Sequence, residues 1–142
     1  MRILSKIGSL GIAVVAFAIT SCSDNIGSAS TPDKSPIRGL PSDATNILYC
    51  LPGGPSPNTS YEFDTTEASF RSWVIAQKKP VMGPIQRKRS LILRFDPASK
   101  SNDLISIQDG WISDWTGAQA DEGQHMVYDI HKNRAYFWYH SR

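Results

Sequence analysis

The side chains that could carry chemistry fall into four groups. Cys22 and Cys50 are the only cysteines. In an oxidising compartment they could pair as a disulfide, and either could also act alone. Cys50 lies in the apolar run Ile47, Leu48, Tyr49, Cys50, Leu51, a context that reads as a small buried hydrophobe. Asp114, Asp121, Glu122, His125, Asp129 and His131 put several metal-ligand types in one stretch. Their spacing fits neither a calcium loop nor a zinc motif, so no metal and no cofactor is expected. Gln86, Arg87, Lys88 and Arg89 form a basic run without interleaved aromatics, which reads as a solvated loop.

The fourth group is aromatic. Tyr128 is followed by Tyr136, Phe137, Trp138 and Tyr139 in succession. On a strand, alternation places Tyr136 and Trp138 on one face and Phe137 and Tyr139 on the other. These four residues are the candidate binding surface, because an exposed pair could stack on a sugar ring or bury itself against a protein. Alternation alone leaves open which pair faces the core, although the larger Trp138 favours its own face. No nucleophile elbow, phosphate loop or paired-histidine motif is present, so no catalytic residues are assigned and the expected domain is non-enzymatic. A small periplasmic enzyme is the rival reading.

The elements that must position these groups follow from period and punctuation. Residues 46–51, 61–64, 91–95, 104–107, 111–115, 124–130 and 135–140 read as strands. Their connections are too short for parallel crossovers, which makes the sheet antiparallel. Asp64, Thr65, Thr66 and Glu67 have the spacing of a helix N-cap with a glutamate three positions on. Phe70, Trp73, Val74 and Gln77 then follow at helical spacing, and Lys78, Lys79 and Pro80 supply a stop. Residues 129–134 read as a tight hairpin, with Asn133 suited to a left-handed backbone position and Asp129 able to accept backbone amides. The fold class expected is α+β, a small antiparallel sheet with one helix packed on one face.

Residues 1–6 are a short basic segment, and residues 7–19 form an uncharged stretch of thirteen, the length of an export-signal core and too short to span a bilayer. Ile19, Thr20, Ser21 and Cys22 resemble the bacterial lipobox, an aliphatic residue and two small ones before a cysteine. Isoleucine stands where leucine is usual. The resemblance implies a diacylglyceryl thioether on Cys22 and cleavage before it, with Ser23 favouring the outer membrane in a Gram-negative cell. Several acyl chains, at about 0.8 kcal/mol per buried methylene, anchor stably. The alternative is an ordinary cleaved signal and a soluble secreted protein with a Cys22–Cys50 disulfide.

The expected organisation is thus a lipoprotein signal peptide at 1–21, a flexible Ser/Pro/Gly-containing tether at 22–42, and a single globular domain at 43–142. With Arg2 and Lys6 in the signal, thirteen basic side chains face thirteen acidic ones in the remainder. That balance gives no support to nucleic-acid binding. The expected partners are a membrane, through the lipid, and an envelope protein or cell-wall polymer. Asp129, Arg134, Ala135, Tyr136 and the segment to Arg142 also loosely resemble the ends of small exported bacterial domains of unknown function, a likeness that implies no activity.

Overall fold

In the computed structural model, residues 25–53, 59–77, 85–96, 101–116 and 122–140 are described. Seven strands and one helix form: β1 (Asn25–Ala29), β2 (Thr45–Leu51), β3 (Thr59–Asp64), α1 (Glu67–Ala76), β4 (Gln86–Asp96), β5 (Ser101–Thr116), β6 (Gly123–Asp129) and β7 (Arg134–His140). All pairings are antiparallel, and the spatial order is β1-β2-β3-β7-β6-β5-β4. The sheet-rich antiparallel class with a single described helix matches the expectation at that level.

Three local expectations need correction. Residues 22–42 were expected to be a tether, yet Asn25–Ala29 pairs with β2 as an edge strand, and Ile37 and Leu40 pack against buried residues. An edge strand needs backbone partners more than apolar side chains, and β2 supplies them. The basic run at Gln86 is strand, not loop, because β5 pairs with it from Ile112 onward. Residues 104–107 and 111–115 belong to one continuous strand, β5, whose two halves have different neighbours.

That division shapes the molecule. Residues 110–116 of β5 pair with β6, whereas the earlier half pairs only with β4. The register slips between Lys88 and Ser90, and the β4–β5 arm turns back until β4 comes close to β3 and β7. Gly110 permits the turn: a Cβ there would meet Ile107 Cγ2 at 2.9 Å and the Tyr128 carbonyl oxygen more closely still. Ile92 and Ile107 thereby join Ile112, Val127 and Tyr136 in a second core. The main core contains Ile47, Phe63, Phe70, Trp73, Val74, Met126, Tyr128 and Ala135. Trp73 meets the Phe63 ring edge-on at 5.3 Å, and Phe70 stacks on Tyr128 at 5.2 Å.

The helix begins two residues later than the Asp64–Glu67 spacing suggests. Thr66 is the N-cap, and its hydroxyl oxygen accepts from the Ser69 amide at 3.2 Å. Asp43, distant in sequence, supplies the acidic group, accepting from Thr65 Oγ1 at 2.8 Å and from the Thr66 amide at 3.2 Å. Lys78, Lys79 and Pro80 lie outside the described residues. Partial burial pushes the Asp43 carboxyl up, but hydrogen bonds from Thr65, Ser69 and Thr66 more than offset this and hold it below the usual carboxylate range. The folded state therefore releases the Asp43 proton more readily than the unfolded chain does. The resulting stabilisation is present above the ordinary carboxylate range and is lost as pH falls through the depressed value. Asp43→Ala should cost about 1 kcal/mol at neutral pH. Its deficit relative to wild type should shrink below about pH 4, as read from urea unfolding across pH.

The last hairpin follows its expected chemistry. Asn133 adopts φ 51°, and Asp129 Oδ1 accepts from the His131 and Lys132 amides at 3.0 and 3.2 Å. The Tyr128 hydroxyl reaches the Thr65 carbonyl at 3.1 Å, which ties this hairpin to the start of the helix.

Candidate functional site

Register decides which aromatics meet. Phe137 lies opposite both Tyr61 and Met126, so it takes the face that carries Phe63 and the helix residues. It stacks on Tyr61 at 4.3 Å and stands edge-on to Trp73 at 6.3 Å. The assignment of Trp138 to that core is therefore corrected. Trp138 lies opposite Ser60 and His125 on the other face, beside Tyr136. Ring size did not decide the matter: Phe137 stacks on Tyr61 and Ala135 belongs to the main core, while Tyr136 joins Ile92 and Ile107 in the second core.

Of the four candidate surface residues, Tyr136 is buried at 2 % exposure and Phe137 is half-buried within the main core. Trp138 and Tyr139 are half-buried near the other end of β7. The Tyr139 hydroxyl donates to Glu122 Oε1 at 3.2 Å. Cys22 lies outside the described residues, as does Asp121. Cys50 is buried on β2.

Beside the second core the far face carries a group of parallel rings. His125 and His140 both stack near Trp138, with centroids 5.1 and 4.6 Å away and tilts of 19° and 25°. The two imidazoles lie 5.8 Å apart at 7° to each other. Gly123, opposite His140 in the ladder, makes room: a Cβ there would come within 2.6 Å of His140 Cε1. Asp114 Oδ1 lies 3.0 Å from His125 Nδ1, and Lys88 Nζ lies 4.0 Å from Asp114 Oδ2. The carboxylate thus favours a proton on Nδ1 and fixes the imidazole orientation. His140 Nδ1 is buried without a hydrogen-bond partner among the described residues. Aromatic faces flanked by a carboxylate and an ammonium can stack on a planar or ring-shaped group and hydrogen-bond its edge. Among the described residues no group of three or more histidine, cysteine or acidic side chains is arranged to hold a metal ion.

A second polar cluster lies at the opposite end of the same face. Arg134 Nη2 donates to Glu62 Oε1 at 2.9 Å and to the Asn46 carbonyl at 3.3 Å, and Nη1 donates to Asp64. This is where Asp64, expected as a helix cap, is used instead.

In the sequence Trp138 stands out as an aromatic and His125 as a metal-ligand type, but nothing local brings them together. Only the register of β6 on β7 does so. Neither His140 nor Lys88 was singled out as part of a site. An imidazole two positions from Trp138 on the same strand face was the available signal. Comparison with family models, with curated proteins and with solved structures finds no match for the chain.

Proposed function

We propose that this chain is a lipid-anchored protein of the cell envelope whose folded domain is a non-enzymatic binding or structural module. The observation that carries the reading is the run Ile19, Thr20, Ser21, Cys22 after an uncharged stretch of export-signal length. The first described strand, β1, begins at Asn25, downstream of the proposed cleavage point. Among the described residues no helix is long and apolar enough to cross a membrane. In this reading α1 covers one face of the sheet through Phe70, Trp73 and Val74, and the shelf around Trp138 is the part of the other face left for a partner.

The non-enzymatic part is read from the sequence, which carries no nucleophile elbow, phosphate loop or paired-histidine motif. In a Gram-negative cell, Ser23 after the cysteine favours sorting to the outer membrane.

Cys22→Ala should abolish incorporation of a fatty-acid analogue and leave precursor or mislocalised protein, since the thioether forms only on that thiol. Metabolic labelling of both chains measures this. Equal labelling of the variant, or no labelling of wild type, would overturn the anchor.

A further inference from the structure

The place of β1 sets how far the domain can stand from its anchor. Only Ser23 and Asp24 separate Cys22 from Asn25, the first residue of β1. Three Cα–Cα steps of 3.8 Å reach about 11 Å at most, whereas a seven-residue strand is about 23 Å long. A domain on a twenty-residue tether could take any orientation, but one on this leash is held with one region of its surface at the headgroups.

The pairings say which region. Asn25 lies opposite Leu51, Cys50 opposite Ser60, Thr59 opposite Tyr139, and Gly123 opposite His140 and Thr116. The N-terminus of β1 therefore shares one end of the sheet with Trp138, Tyr139 and the histidine pair. The opposite end holds the turn at residues 130–133, the helix start and the Arg134 cluster. The anchored end carries half-buried rings with polar edges, Trp138 and Tyr139, and Trp and Tyr of that character concentrate at membrane–water interfaces, with the ring among acyl carbons and the polar edge in water.

We infer that this aromatic end of the sheet is seated on the surface of the bilayer that holds the lipid, with Trp138 and Tyr139 at headgroup level. The inference rests on lipidation of Cys22. It assigns the surface to lipid, and leaves the Arg134 end and the helix start pointing away from the membrane.

The test uses the full, processed chain with Cys50→Ala, in which Cys22 is blocked by its lipid and an introduced cysteine is the only free thiol. Thr59→Cys and Lys132→Cys place a fluorophore at the two ends of neighbouring central strands. Each chain is reconstituted into phosphatidylethanolamine–phosphatidylglycerol vesicles carrying a nitroxide on some headgroups. The expected result is several-fold stronger quenching at position 59 than at position 132. Equal quenching, or stronger quenching at 132, overturns the seating and frees the aromatic end for a polymer or protein. Flotation of the same vesicles separates this from the premise: chains that float but quench equally refute the seating alone, and chains that fail to float refute lipidation and the seating with it.

Discussion

Trp73→Ala is expected to lower folding stability by about 3–5 kcal/mol, the usual cost of emptying a large buried aromatic site. Trp73 is 4 % exposed and meets Phe63, Phe70, Tyr61 and Phe137 within about the distances at which rings attract edge-on. These neighbours come from α1, β3 and β7, so truncation would open a void that no single element can close. Denaturant unfolding measures the effect. The soluble version should begin at residue 25, since starting at 43 would delete β1 and leave the β2 edge unpaired. A loss below roughly 1 kcal/mol would mean that Trp73 does not hold the helix to the sheet.

Arg134→Ala should cost a similar amount, about 3–5 kcal/mol, for an electrostatic reason. The Glu62 side chain is 5 % exposed, and its carboxylate faces the guanidinium. Burial works against the charge on Arg134, but Glu62 and Asp64 more than compensate and raise its pKa. Removing the guanidinium would leave the Glu62 carboxylate buried beside Asp64 without the Arg134 charge. The diagnostic measurement is a double-variant cycle: Glu62→Gln in the Arg134→Ala background should recover a large part of the loss, because the buried carboxylate charge is removed. No recovery would show that Arg134 acts through its packing alone.

Legibility of the fold in the sequence varied with the physical signal each element carries. β2, β3, β6 and β7 alternate apolar and polar residues or run apolar, and their positions are close to those read from the chain. The turn at Asn133 carries its own local chemistry. β1 carries no such signal, since Asn25, Gly27 and Ser28 have little to bury and the strand exists through its ladder with β2. The β4–β5 arm was misread because Gly110 marks a bend inside a strand, not a break between two. Asp43 takes the acidic role expected of Asp64 for a similar reason: capping spacing is local, whereas Arg134, seventy residues away, competes for Asp64. The candidate site was legible as residue types but not as an arrangement, because the stacking of His125, Trp138 and His140 needs both the β6–β7 register and the space above Gly123.

The strand order has a consequence for how the chain acquires its structure. β3 pairs with β7, and Thr59 and Tyr139 are eighty residues apart in sequence. The first three strands therefore present a bare inner edge until β7 arrives to close it. Contacts of such long sequence separation slow folding, because the entropy of a large loop must be lost before any pairing energy is gained. During N-to-C-terminal synthesis the β3 edge therefore stays unpaired until β7 has been made. That open edge is the segment most exposed to non-native strand pairing in the interval.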